Sequence, residues 1–417
     1  MLEVSPYWTE ELSFDWKAIY SIMRILKVHN YYIQSGGEDT VFHAETALLR
    51  SYGHEVIEYL EHNKKIESMN QMSVALQTIW SSSSYQKLKH FLRETKPDVV
   101  HFHNTFPLIS PSAYYACQDL SIPVIQTLDN QRLMCPAASF YRDGKLCLDC
   151  LGKTPPWPGV IYACYHDSHL HTAVVASMLT FHRWIGTWQT KIDLFLCSTN
   201  FYRDLFVQAG FPVNKIVVMP HFVQEKFQTD FSKKIGAREY VLFLGRLDPE
   251  KGVNTLLEAW RHLDFLLKIR GNGRLDDSAR KFVRQHAIQK IEFVGRMDEQ
   301  ELSDLIGNAR FLIMPSEGYY ETFGMVIIEA YSRSVPVLAS NIGVVPELVS
   351  DKQTGLLFEA GQALDLVEKA TWMWDHPEEC TRMGHNARRE YEEKYTSERT
   401  YEMLMDIYSR VIEDRKK

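Results

Sequence analysis

Short runs of β-branched and apolar residues recur from one end of the chain to the other, each followed by a longer stretch with helical spacing. The first series is MRILKV from Met23, EVIEYL from Glu55, PDVVHF from Pro97, PVIQT from Pro123, IDLFLC from Ile192 and KIVVM from Lys215. The second is YVLFLG from Tyr240, FLLKIR from Phe265, IEFVG from Ile291, RFLIMP from Arg310, VPVLAS from Val335 and GLLF from Gly355. A strand with one wet face alternates apolar and polar residues. These runs are nearly continuous, which fits strands covered on both faces of a parallel sheet. Between them, Val41, Ala44, Ala47 and Leu48, and later Leu256, Leu257, Trp260 and Leu263, recur at three- and four-residue spacing, the mark of a helix with one buried face. Asp298 and Glu301 have the spacing of a capping box that opens a helix carrying Leu302 and Leu305. Strand–helix alternation in two series predicts an α/β chain of two doubly wound, Rossmann-like domains facing a cleft.

At 417 residues the chain exceeds what one hydrophobic core sustains, which agrees with that division. The expected boundary follows Val218-Met219-Pro220, where a polar stretch runs through Gly236. The resulting plan is an N-terminal extension over 1–22 without a catalytic part, a first domain over 23–220, a second over 221–396, and a C-terminal helix over 397–417 returning to the first. Residues 135–188 are too long for a crossover and read as an insertion. Lys+Arg number 46 against Asp+Glu 53, a formal net charge of −7, so the basic excess that a nucleic-acid backbone requires is missing. The first residues carry acids and no apolar core run, unlike a secretory signal, and no run approaches the ~20 apolar residues of a membrane span. Seven cysteines without such a signal point to a reducing, cytoplasmic setting rather than a disulfide framework.

The candidate motifs fall where strands end, the place at which open α/β sheets bind ligands. Val28-His29-Asn30 runs into Ser35-Gly36-Gly37-Glu38 and then a helix; Gly37 lets a backbone approach an anion at a helix start, and a plain tight turn is the alternative. Gly245-Arg246-Leu247-Asp248-Pro249-Glu250-Lys251-Gly252 occupies the same place in the second series, with Arg246 and Lys251 flanking the turn as a diphosphate requires. Gly271 and Gly273, after the next strand, would add close backbone approach. Glu321-Thr322-Phe323-Gly324 leads to Glu329 eight residues on. If that whole segment is helical, the two acids are ~12 Å apart along the axis and about 80° apart around it, two hydroxyl-binding points on one groove. His101-Phe102-His103 ends another strand with both imidazoles on one face and His103 nearer the cleft; no carboxylate stands at ligand spacing beside them in the sequence, and a structural role is the alternative.

Together, the spaced Glu321 and Glu329, GRLDPEKG, the Gly-Gly loop and HFH in this chain order resemble the retaining glycosyltransferases of family 4, with their two-Rossmann GT-B architecture, from Met23 to the C-terminus. The resemblance implies transfer of a hexose-type sugar from a nucleotide-diphosphate sugar, a UDP-sugar first and a GDP-sugar second, to a glycan or lipid-linked acceptor, without a catalytic metal. It implies that Glu321 holds the donor hexose and Glu329 the ribose, and that Arg246 and Lys251 bind the diphosphate. Gly245, Gly271, Gly273, Phe323 and Gly324 would complete the donor pocket. Gly37 would approach the donor phosphate or the acceptor, and His103 would sit by the anomeric carbon. Asn341-Ile342-Gly343 with Glu347 would line the donor site. The departing phosphate would take the acceptor proton. The chain departs from the family at Pro220-His221, where relatives often show Pro-Asn, and at Thr127-Leu128-Asp129-Asn130, where many carry a histidine.

Similar cysteine-bearing insertions occur in bacterial polysaccharide glycosyltransferases. Here Cys135, Cys147, Cys150 and Cys164 are read as a structural zinc site, as reduced thiols or as disulfides, with His166, His169 and His171 as other ligands. The segment from His171 to Trp188 is either a peripheral membrane contact or a packed helix. A nucleotide-sugar epimerase and a non-catalytic nucleotide-sugar-binding subunit are the rival functions.

Overall fold

The computed structural model describes residues 21–33, 36–225, 238–319 and 321–416. Nearly all of the N-terminal extension and most of the polar stretch before Gly236 lie outside them. Along the first half run β1 (Arg24–Tyr31), β2 (Glu55–His62), β3 (Val99–Phe102), β4 (Val124–Thr127), the two-residue strands β5 (Tyr141–Arg142) and β6 (Lys145–Leu146), then β7 (Leu194–Cys197) and β8 (Ile216–Val218). Along the second run β9 (Tyr240–Leu244), β10 (Leu266–Arg270), β11 (Ile291–Val294), β12 (Phe311–Met314), β13 (Val337–Ser340) and β14 (Gly355–Phe358). β5 and β6 form an antiparallel hairpin inside the insertion, which the sequence pattern did not announce. The other strands build two six-stranded sheets in the orders β2-β1-β3-β4-β7-β8 and β11-β10-β9-β12-β13-β14. Every pairing within them is parallel. This is the α/β fold of two Rossmann-like domains.

The continuity of the apolar runs has a direct cause. In the first sheet, Leu26, Val28, Val100, Phe102, Val124 and Phe195 enter the core on one face. Their neighbours Ile25, Val99, Ile125, Leu194 and Leu196 enter a second core on the other. That second core is closed by the last helix, Ser397–Lys416, through Tyr401, Leu404, Met405, Tyr408 and Val411. The edge strands β2 and β11 are only partly buried, as strands covered on one side must be.

Both sheets reverse strand order beside their first strand, β1 against β3 and β9 against β12. At such a switch point the following loops part and leave a crevice at the carboxyl ends. The capping box holds: Asp298 Oδ1 accepts from the Glu301 amide at 2.8 Å and Glu301 Oε2 from the Asp298 amide at 2.9 Å. In the insertion, helix His169–Trp184 packs on helix Gln71–Ile79 and buries Val175, Met178 and Leu179 against Phe106. Leu170 and Trp184 stay exposed. No helix among the described residues is long and apolar enough to cross a membrane.

Candidate active site between the two sheets

Both switch points open on one cavity of about 2130 Å³. The first sheet contributes Tyr32, Gly37 and Glu38 after β1, Phe106 and Pro107 after β3, and Asp129 to Arg132 after β4. The second contributes Gly245, Arg246 and Lys251 after β9, and Pro315, Glu321, Phe323 and Gly324 after β12. The sequence motifs from opposite halves of the chain therefore meet. The halves are also tied beside the cavity: Gln131 Nε2 and Tyr202 Oη each donate to the Tyr319 carbonyl at 2.8 Å, and Ser198 Oγ donates to the Thr322 carbonyl at 2.8 Å.

The second-sheet wall is cationic by construction. Asp248 and Glu250, both buried, hold two arginine forks at its edge. Arg246 lies 2.9 Å from Asp248 and 3.4 Å from Glu250, and Arg274 lies 3.2 Å from Asp248 and 2.9 Å from Glu250. Against the penalty of burial, the Arg274 and Arg246 guanidiniums hold the Asp248 carboxyl below its ordinary value. Arg274 lines the cavity and was not among the sequence candidates, because its partners lie 26 and 24 residues before it. Lys251 pairs with Glu321 through Nζ and Oε2, so the cation expected at a phosphate and the acid expected at a sugar touch each other.

Several expectations need correcting. The segment from Glu321 to Glu329 is not one helix: Gly324 has φ +92°, the chain turns there, and the helix covers only Met325–Tyr331. Glu321 therefore sits on a loop in the cavity. Glu329 is half-buried and does not line the cavity, and burial pushes its carboxyl above the ordinary value against Arg333 and Arg270. Gly271 and Gly273 do not line the cavity either. A Cβ on Gly271 would lie 1.8 Å from the Gly245 carbonyl oxygen, and one on Gly273 would lie 2.6 Å from that of Leu247. Their missing side chains let two loops pack on each other. The Leu247 amide donates to the Asn272 carbonyl at 2.9 Å across that seam. Glu347 does not line the cavity and caps the helix Asn200–Gln208 of the other half, accepting from the Asn200 amide at 2.8 Å and the Phe201 amide at 3.0 Å.

His103 lies behind the wall and does not line this cavity. It is buried in a cluster whose centre is Lys27, with Nζ 2.6 Å from Glu45 Oε2, 2.6 Å from His103 Nε2 and 3.4 Å from His101 Nδ1. Among the described residues, Glu45, His101 and His103 are the one group of three metal-ligating side chains at ligand spacing, so a carboxylate does stand beside HFH, brought by the helix Gly37–Ser51. The Lys27 ammonium already fills the centre that a metal ion would take. Burial pulls the Lys27 amine below its ordinary value, with Glu45 pulling the other way. Against burial, Lys27 and the two imidazoles hold the Glu45 carboxyl well below its own. When neutral, His103 accepts from Lys27 at Nε2 and keeps its proton on Nδ1, 3.2 Å from Asp129 Oδ2. Burial and Lys27 oppose a charge on this imidazole; Glu45 and Asp129 outweigh them and raise its pKa.

The four insertion cysteines feel one another's charge but supply no three sulfurs at ligand spacing. All seven cysteines of the chain are free. Burial pushes the Cys150 thiol up to about 12, and its sulfur accepts from the Gly159 amide at 3.2 Å.

Residues 225–390 match the family described as glycosyl transferases group 1. That segment carries Arg246, Lys251 and Glu321. An uncharacterized glycosyltransferase of Methanocaldococcus jannaschii is 32% identical over 173 residues, 42% of this chain and 48% of that protein. The O-antigen chain mannosyltransferase C of Escherichia coli is 26% identical over 209 residues, 48% of this chain and 56% of that protein. The chain thus spans about half the length of these curated relatives. The crystal structure of Anabaena HepE in complex with UDP shares the fold, with TM-score 0.67 and 16% identity over 93% of this chain and all of that one.

Proposed function

We propose that this protein is a retaining glycosyltransferase that moves a hexose-type sugar from a nucleotide-diphosphate sugar to a hydroxyl of a glycan or lipid-linked acceptor. The observation that carries the reading is the second switch point, where Arg246 and Lys251 after β9 meet Glu321 after β12 on one wall of the cavity. A diphosphate takes the cations and the vicinal hydroxyls of a sugar take the carboxylate. Lys251 and Glu321 neutralise each other. A bound donor separates them, the ammonium going to phosphate and the carboxylate to the hexose. Glu329, itself outside the cavity lining, lies one helical turn beyond Met325, which lines it, and is assigned to the ribose. The UDP bound by the Anabaena structure and the match over 225–390 support a UDP-sugar as first donor, with a GDP-sugar second.

In the reaction the bond from the anomeric carbon to the phosphate oxygen breaks, and a bond from that carbon to the acceptor oxygen forms on the same face. The acceptor proton passes to the departing phosphate oxygen. Arg246 and Lys251 stabilise the negative charge that collects on that phosphate, a contribution typically worth a factor of about 10²–10³ in rate. Lys251→Ala and Glu321→Ala are each expected to lower transfer by that order with thermal midpoints near the parent's. UDP, GDP and their sugar conjugates, screened by thermal shift, identify the donor. Normal turnover in both variants refutes the assignment, and an epimerised donor without a new glycosidic bond replaces transfer by epimerisation.

A further inference from the structure

On the transferase reading, we propose that Glu38 and Asp129 form a subsite for the hydroxyl groups of a neutral saccharide acceptor, on the cavity wall opposite the cations. Two loops of the first sheet build it. Glu38 is the second residue of the helix Gly37–Ser51 after β1, and Asp129 follows β4; both line the cavity. Asn130 Nδ2 donates to Glu38 Oε1 at 3.0 Å and so ties the two loops together.

The oxygens left over point to a ligand. Glu38 Oε2 is buried and has no hydrogen-bond partner, and the same is true of Asp129 Oδ1. Asp129 is only 8% exposed; His103 Nδ1 holds its other oxygen at 3.2 Å, and His221 Nε2 stands 3.5 Å from Oδ1. His221 is 6% exposed, lines the same cavity and has an unpartnered Nδ1 of its own. Buried polar atoms are rarely left unpaired, because each loses its hydration without compensation. Unpaired oxygens on two adjoining carboxyls, both on cavity-lining residues, are what a polyhydroxyl ligand would complete.

The charge state fits a sugar better than an anion. Burial first, then the neighbouring charges of Asp129 and Asp39, push Glu38 up to about 8 against Asn130 and Arg132. At neutral pH Glu38 then offers an O–H donor while Asp129 offers an acceptor. A hydroxyl group accepts and donates at once, and a vicinal pair satisfies both carboxyls. A phosphate would face the Asp129 charge directly. Arg132, the nearby cation, donates to the Pro136 carbonyl and lies over the Phe106 and Tyr165 rings, 4.4 and 4.7 Å away, and its Nε is buried without a hydrogen-bond partner.

The test uses the full chain with UDP present. The probes are methyl glycosides of glucose, galactose, mannose and N-acetylglucosamine, and the same compounds phosphorylated at the primary hydroxyl, read by saturation-transfer NMR. The parent is expected to prefer neutral probes. Glu38→Met and Asp129→Asn are each expected to weaken them about ten- to a hundredfold, the loss of one strong hydrogen bond, and to narrow the preference over the phosphorylated probes, whereas Glu38→Gln keeps a donor in place of the carboxyl O–H and is expected to bind neutral probes like the parent. UDP affinity by calorimetry is expected to stay at the parent value. Glu38→Met leaves Asp129 and its histidine contacts in place, so it decides the question even if Asp129→Asn fails to fold. Binding of phosphorylated probes at least as well as neutral ones, binding of none, or unchanged affinity in Glu38→Met overturns the subsite. Absence of UDP and GDP binding in the parent overturns the transferase reading instead.

Discussion

Lys27→Met is expected to destabilise the protein by about 3–5 kcal/mol, the typical result of removing one partner from a buried ion pair. Methionine fills most of the lysine volume, so packing contributes less than ~1.5 kcal/mol of that loss. The rest is electrostatic. Lys27 and Glu45 are 0% and 1% exposed, and the ammonium sits 2.6 Å from both the carboxylate and His103. Without it, Glu45 is a buried carboxylate left with only the His103 imidazole at 3.2 Å and His101 at 3.9 Å. Lys27→Met/Glu45→Leu removes both charges together, and replacing a whole buried pair by apolar side chains is often close to neutral. The double variant is therefore expected to recover at least half of what the single change loses. Urea unfolding followed by tryptophan fluorescence measures both, since the chain carries nine tryptophans. A loss below ~1 kcal/mol in Lys27→Met, or a double variant as unstable as the sum of the singles, would show that the cluster is hydrated or uncharged and refute the reasoning.

Gly271→Ala places a methyl group 1.8 Å from the Gly245 carbonyl oxygen, so the Gly245–Leu247 loop must move. Thermal midpoint and UDP affinity are expected to fall together, by roughly 1–3 kcal/mol in stability, whereas Lys251→Ala lowers affinity alone. A variant with the parent's midpoint and affinity would show that the seam yields freely. For Glu38 the folded pKa is raised from the ordinary value to about 8, facing Asp129, Asp39 and Arg132. Its contribution is thus present in full below the unfolded value near pH 4.5 and is lost as pH rises through 8, at up to roughly 1.4 kcal/mol per pH unit. Glu38→Gln is expected to flatten that part of a stability-against-pH curve; parallel curves for the two proteins would sink the assignment.

Strands were legible because each lies in one continuous stretch of sequence and, partly buried edge strands such as β2 and β11 apart, is buried on both faces, so its apolar pattern is local. The loops bearing Arg246, Lys251 and Glu321 were legible for the same reason: strand ends are local, and charged residues just beyond them are conspicuous. What failed to show was set by residues far apart. Arg274 and Asp248 are 26 residues apart, and Glu45 reaches His103 from a helix 58 positions earlier, so no spacing rule could pair them. The two-residue strands β5 and β6 are too short to leave a period. Gly271 and Gly273 were assigned to a ligand because the sequence cannot say whether the backbone a glycine admits belongs to a substrate or to the next loop.

The acids inside GRLDPEKG explain how the loop can hold cations in place at the cavity edge. A long guanidinium side chain loses on the order of 2 kcal/mol of rotamer freedom when a ligand fixes it. Asp248 and Glu250 are buried and fixed, and they hold Arg246 and Arg274 from behind before any phosphate arrives. Lys251 is held by Glu321 in the same way, but with a different consequence. On the proposed reading, Asp248 and Glu250 remain bound to their arginines when a diphosphate docks, whereas Glu321 releases Lys251 to meet the sugar. The loop thus contains one permanent clamp and one exchangeable pair, and the exchangeable pair joins the element after β9 to the element after β12. A ligand carrying both a phosphate and a hydroxylated ring satisfies the two released groups at once. Inorganic phosphate satisfies only Lys251 and leaves Glu321 facing it, which favours the intact sugar nucleotide over its fragments.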